Sequence, residues 1–213
     1  MNQEARYQRM LPEARKANLV EATLACLKQH GFQGASIRKI SAEAGVSVGL
    51  ISHHYSGKDE LGAEAYLAVT GRVMGLLREA MDRAAPNARE RLSAFFQASF
   101  CEELLDPQLL DAWLAFWGAV KTAEAINQVH DHSYGEYRGT LSRALGELAR
   151  EDNWERFDAD LAAISLSALL DGLWLESGLN PGTFTPEQGV QICEAWVDGL
   201  QAGGRRRFTL PEG

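Results

Sequence analysis

Residues 36–58 read SIRKISAEAGVSVGLISHHYSGK, and this stretch decides the fold. Ser36 is a good N-cap for a short helix that ends near Ala44 and Gly45, and Ser47 is a good N-cap for a second that ends near Tyr55. Between them, Ala44-Gly45-Val46 forms a tight turn, and Gly45 permits the positive φ such a turn needs. Ile40, Ala44, Val46 and Ile51 fall where two crossing helices share a small core, with Ser41 small enough to let the helices approach. The pattern predicts a helix-turn-helix whose second helix, residues 47–55, enters a major groove.

That geometry gives the polar residues roles. Ser36 and Ser47 head their helices, where free N–H groups and the helix dipole favour a phosphate. Arg38 can read a guanine edge with both arms of its guanidinium, and Lys39 suits a phosphate. Val48 and Gly49 are small and early in the recognition helix, suited to close approach and to a thymine methyl. Ser52 and His53, one turn on, can bond phosphate, and Lys58 caps the next helix on the same side. Each residue alone also fits a solvated surface; the spacing as a whole carries the reading.

Outward from this stretch the chain reads as helix almost throughout. A first helix is expected over residues 12–30, ended by Gly31, and a long one from Lys58 to about Arg83. Breaks follow at Ala85-Pro86-Asn87, Asp106-Pro107, Asp152-Asn153 and Asn180-Pro181-Gly182. Residues 158–177 are apolar on most of their surface, so that helix is buried on two sides, within the fold or against a partner. Thr185-Pro186-Glu187-Gln188 matches a capping box with proline at the first helical position. The expectation is an all-α protein of about nine helices: a helix-turn-helix three-helix domain over 1–57, then a larger helical domain over 58–213.

The 213 residues carry a net charge of −8, which excludes a uniformly basic nucleic-acid coat. The charge is uneven. Residues 1–62 hold eight basic and six acidic side chains, or +2, leaving −10 for the remainder. Three widely spaced cysteines, Cys26, Cys101 and Cys193, fit reduced thiols in the cytoplasm better than a disulfide framework. The N-terminal residues show no secretion signal, and no run of about 18 apolar residues suggests a membrane partner.

The stretch AGVSVGLISHHYSGKDEL resembles the end of the DNA-binding domain of TetR-family repressors, with Ser52 where that family usually has an aromatic residue and Tyr55 for its phenylalanine. Gly49 to His53, Ala112 to Trp117 and Leu170 to Leu175 resemble the BetI-like subgroup, the choline-responsive repressors of betaine synthesis. The resemblance covers most of the chain from Leu19 to about Trp196. It implies a homodimer, with the last two helices of each subunit in a four-helix bundle, bound to double-stranded operator DNA and released by a small effector. A quaternary-ammonium or amine compound such as choline is the effector it suggests.

The residues agree with parts of this. Leu161, Ile164, Leu166, Leu169, Leu170 and Leu173 leave too little polar face for the outer helix of a monomer, and Val190, Ile192, Trp196, Val197 and Leu200 offer a second apolar surface. Trp113 and Trp117 share a helix face with Phe116 beside them, and Tyr134 and Tyr137 are three apart on the next helix. Phe96, Phe100 and Trp174 can complete a wall, with Asp171 or Glu102 as a carboxylate for a cationic ligand held over aromatic faces. Aromatics at this spacing also serve as plain core.

No GxSxG, HExxH or GxGxxG motif points to catalysis or a cofactor, and His130-Asp131-His132 points three ways on a helix, so neither an enzyme nor a metal site is expected. The alternative is an all-helical small-molecule-binding protein that does not touch DNA.

Overall fold

A computed structural model of the chain describes residues 12–84 and 86–209. Among them are nine α-helices: α1 (Pro12–Gly34), α2 (Ile37–Ala44), α3 (Val48–His54), α4 (Lys58–Arg83), α5 (Ala88–Ser99), α6 (Pro107–Ala119), α7 (Glu124–Glu151), α8 (Ala159–Leu179) and α9 (Pro186–Gln201), then a 3₁₀ turn, Gly204–Arg207. The one strand-like feature among the described residues is a bridge between Phe157 and Thr209. The fold is all-α.

The local signals locate the helix ends. Ser36, Ser47, Asn87, Asp158 and Thr185 each accept a backbone N–H at a helix start, and Thr185 and Gln188 close the full capping box. Helix α1 runs four residues past the expected end. Gly31 nevertheless breaks its regularity with φ 62° and ψ 173°, so the residues after it form a separate turn.

The helices sort into two compact units. The first holds residues 12–71 and 111–133, and the second 72–110 and 134–209. In the first, Leu27, Ile40, Ile51, Leu61, Tyr66, Phe116 and Ile126 are fully buried. Phe32 pins the turn after α1 to α4: its ring lies 3.0 Å from the Cβ position of Gly62, and the Lys58 ammonium sits 4.7 Å above it. A side chain at Gly62 would occupy the ring's place.

The second unit is built on α5, α9 and α8. Phe95, Phe96, Leu92, Leu141 and Leu145 are fully buried. The Phe100 ring lies on the backbone of Gly189, 2.7 Å from where a Cβ would stand, and meets Phe184 edge-on. Arg89 of α5 joins Glu194 and Asp198 of α9, and Ser93 donates to Glu194. After α9 the chain turns back at Gly203 (φ 118°), and the Asp158 N–H donates to the Phe208 carbonyl at 2.8 Å. The Phe208 ring packs on Phe157 and Trp196, while Arg205 lies over Trp154. The C-terminal turn is thus strapped to the start of α8. The arginines of the turn divide: Arg205 is packed, and Arg206 and Arg207 are exposed.

Candidate functional site

The helix-turn-helix follows from its sequence residue by residue. Gly45 closes α2 in the left-handed region at φ 68°, and the Val46 N–H returns to the Ser41 carbonyl at 2.9 Å. Ile40 and Ile51 are wholly buried between the helices, with Ser41 beside them. Asn18 donates to the Ala44 carbonyl at 3.0 Å, tying the turn to α1. These contacts fix α3 without using its outer face. There Ser47, Val48, Gly49, Ser52 and His53 are all exposed, Val48 by 40%, and a side chain at Gly49 would meet nothing within 4 Å.

The other expected contacts are more constrained. The Ser36 and Ser47 hydroxyls accept from the Lys39 and Leu50 N–H groups, which leaves each hydroxyl proton to donate outward. Arg38 is exposed. The Lys39 ammonium donates to the Gly34 carbonyl at 2.8 Å, and Lys58 donates to the Phe32 carbonyl at 3.0 Å. Lys58 therefore anchors the start of α4 as well as adding charge. Beside it, Ser56 donates from both its N–H and its hydroxyl to Glu60, and these bonds hold that carboxyl below its usual pKa.

The nine expected ligand residues fall into two groups. In the first unit, Trp113 and Phe116 pack on Tyr66, which composition and spacing did not single out, and Trp117 packs on Trp113 at 6.1 Å. Tyr66 stacks on Phe116 at 4.5 Å, meets Trp113 edge-on at 5.5 Å, and its hydroxyl lies 2.9 Å from His130 Nδ1. Phe116 is fully buried. The Trp117 indole N–H is buried without an acceptor.

In the second unit, Tyr134 donates to Asp171 Oδ2 at 2.7 Å, and the Tyr134 and Tyr137 rings stand 6.0 Å apart. Trp174 lies 6.5 Å from Tyr137, its N–H donating to the Ser99 carbonyl. Phe95 flanks Tyr137 at 5.7 Å. Phe96 is fully buried and Phe100 packs on Gly189, so both serve the core of this unit. Of the two candidate carboxylates, Glu102 is exposed, whereas Asp171 is partly buried. Burial pushes the Asp171 carboxyl up to about 6, opposed by the Tyr134 hydrogen bond and by Arg138. Burial, with Asp171 and Tyr134 nearby, raises Tyr137 well above its usual range, and its hydroxyl has no partner. A buried hydroxyl left unpaired costs about 1–3 kcal/mol, so it is a ready anchor for a polar ligand atom. The site thus combines a carboxylate, aromatic faces and an unused donor. Phe95 joined this group, and Tyr66 the group in the first unit, only through packing between distant helices, for which the sequence carries no local signal; Arg138 lies one turn from Tyr134 on α7.

Helix α8 has two faces. Ala162, Leu166, Leu170 and Trp174 are buried, while Leu161, Ile164, Ala168, Gly172, Leu175 and Leu179 form an open stripe with Ile164 50% exposed. By length and composition alone α8 could cross a membrane. On α9, Ile192, Ala195 and Gly199 are likewise open, and side chains at Gly172 or Gly199 would meet nothing within 4 Å.

Residues 19–65 match the family model for bacterial regulatory proteins of the tetR family, and residues 88–202 match that for the BetI-type transcriptional repressor C-terminal domain. The chain is 30% identical to the HTH-type transcriptional regulator BetI of Rhizobium meliloti, over 95% of this chain and 97% of that protein. It is 29% identical to the BetI regulator of Vibrio campbellii, over 88% of this chain and 92% of that one. A crystal structure described as a transcriptional regulator of Pseudomonas aeruginosa PAO1 is 76% identical, with TM-score 0.95 over 97% of this chain and 100% of that chain. A Saccharomonospora viridis regulator crystallised with choline shares the fold, at 22% identity and TM-score 0.73 over 88% of this chain and 97% of that one.

Proposed function

Because the chain belongs to the TetR family of bacterial regulators, with a BetI-type repressor C-terminal domain, we propose that it binds a palindromic operator as a homodimer and leaves it when a small cationic effector binds. Its family is one of transcriptional regulators, not of enzymes. The observation that carries the reading is the bare first turn of α3: Ser47, Val48 and Gly49 stand exposed on a helix whose inner face is fixed by Ile40 and Ile51.

Residues 1–57 act as the DNA-binding domain and 58–213 as the effector and dimer domain. Arg38 reads a base edge, Ser36, Ser47, Ser52, His53 and Lys39 meet phosphates, Val48 and Gly49 approach thymine methyls, and Lys58 adds charge while holding its own turn. The open stripes of α8 and α9 support the dimer. Their small residues, Ala168, Gly172, Ala195 and Gly199, allow close helix approach, and burying the leucines and isoleucines around them supplies the driving force. Two recognition helices roughly 34–36 Å apart would then face successive major grooves.

The effector site is formed by Tyr134, Tyr137, Trp174 and Asp171 of the second unit, with Phe96 and Phe100 in the core behind them; a second candidate is the aromatic group of Trp113, Phe116 and Trp117 in the first unit. A carboxylate beside aromatic faces favours a quaternary ammonium or amine, choline included. Because α4 begins at Lys58, four residues after α3 ends, an effector that prefers another arrangement of α4 shifts the heads and lowers operator affinity.

A gel-shift assay against the DNA upstream of the protein's own gene tests this. Salt-sensitive binding that weakens on adding choline or a related amine supports it. No salt-sensitive binding would sink the repressor reading, and unchanged affinity at saturating amine would sink the effector reading.

A further inference from the structure

A cleft lies in the second unit. It has a volume of about 220 Å³ and is lined by Arg78, Asp82, Arg91, Thr140, Arg143 and Glu147, among others. That is room for several waters or a small metabolite. Three helices of an acidic body each send one arginine to this place: α4, α5 and α7.

The charges pair off unevenly. Arg91 is bound to Glu147, and Arg78 pairs with Glu136 at 3.4 Å. Arg143 pairs with no carboxylate among the described residues; its guanidinium reaches the Thr140 hydroxyl at 3.1 Å. The Arg91 Nε–H is buried and has no acceptor. Asp82, on the same cleft, makes no ion pair with any described residue. After internal pairing, one free cation (Arg143), one free N–H on a paired arginine (Arg91) and one free anion (Asp82) remain among the described residues.

A lone oxyanion would satisfy Arg143 and the Arg91 Nε–H but would leave Asp82 facing a like charge. A lone amine would do the reverse. We propose that this cleft binds a small zwitterion of amino-acid type, its carboxylate on Arg143 and the Arg91 Nε–H and its ammonium on Asp82. Guanidinium groups suit planar carboxylates. The site is independent of the effector reading above, because it shares no residue with the aromatic cluster.

The test is a chemical-shift titration of the arginine Nε–H signals in the full-length protein at low ionic strength, with L-alanine, acetate and methylammonium as probes. Arg143 and Asp82 are exposed, so Arg143→Gln and Asp82→Asn leave the fold intact. The expected result is a saturable shift of the Arg91 and Arg143 signals with L-alanine, at least fivefold weaker binding of acetate, and no such shift with methylammonium. Arg143→Gln should weaken L-alanine binding at least tenfold, and Asp82→Asn should reduce it to the level of acetate while leaving acetate unchanged. The proposal is overturned if no probe gives a saturable shift, if acetate and L-alanine bind equally, or if either variant leaves L-alanine binding as it was.

Discussion

Asp171→Asn probes the most perturbed carboxyl near the candidate effector site, and the structure sets the size of its effect. Burial raises the Asp171 pKa from 3.8 to about 6, so ionising it is harder in the folded chain than in the unfolded one. Its favourable contribution is therefore complete below 3.8, fades as pH rises through about 6, and is absent above. The gap between 3.8 and about 6, at about 1.4 kcal/mol per pH unit, comes to about 3 kcal/mol at most. Asparagine keeps the shape and can still accept from Tyr134, but never ionises. The variant should be more stable than the parent by about 2 kcal/mol at pH 5 and by about 3 kcal/mol at pH 8. Urea unfolding followed by circular dichroism, at one fixed protomer concentration, measures both values. The same gain at both pH values, or a loss at pH 8, would refute the reasoning. An ammonium effector held by the ionised carboxylate gives a linked outcome. In the parent its affinity should fall about tenfold from pH 8 to pH 5, and Asp171→Asn should remove that dependence.

Three further changes test separate parts of the structure. Gly189→Ala sets a methyl group 2.7 Å from the buried Phe100 ring, which Phe184 flanks, and should cost about 1–3 kcal/mol in denaturant unfolding. Ile164→Glu puts a charge in the middle of the open α8 stripe; sedimentation should show a dimer become a monomer whose helical content is unchanged. Phe208→Ala removes the ring that straps the C-terminal turn to Phe157 and Trp196. With the ring only half-buried, the expected loss is about 1–2 kcal/mol by thermal or urea unfolding.

The helix-turn-helix was legible because everything that specifies it is local. The caps Ser36 and Ser47, the left-handed glycine Gly45 and the buried pair Ile40 and Ile51 lie within sixteen residues, and each acts on its neighbours through backbone geometry or a one-turn contact. The capping box at Thr185 and the span of α4 were readable for the same reason. The aromatic residues were different. Spacing placed Trp113 and Trp117 on one helix face and Tyr134 and Tyr137 on another, but it could not tell a ligand wall from a core. Packing alone made Phe100 a partner of Gly189, brought Tyr66 onto Phe116, and left the Tyr137 hydroxyl buried without a bond. The same holds for Asp171: its residue type was visible, but its raised pKa comes from the helices packed around it. The sequence by itself determined the helices, most of their ends and the helix-turn-helix, because hydrogen bonding along one chain is short-ranged. Only the tertiary structure decided which carboxylate, hydroxyl and arginine are left with unused charge or hydrogen-bonding capacity, because burial and pairing depend on residues tens of positions away.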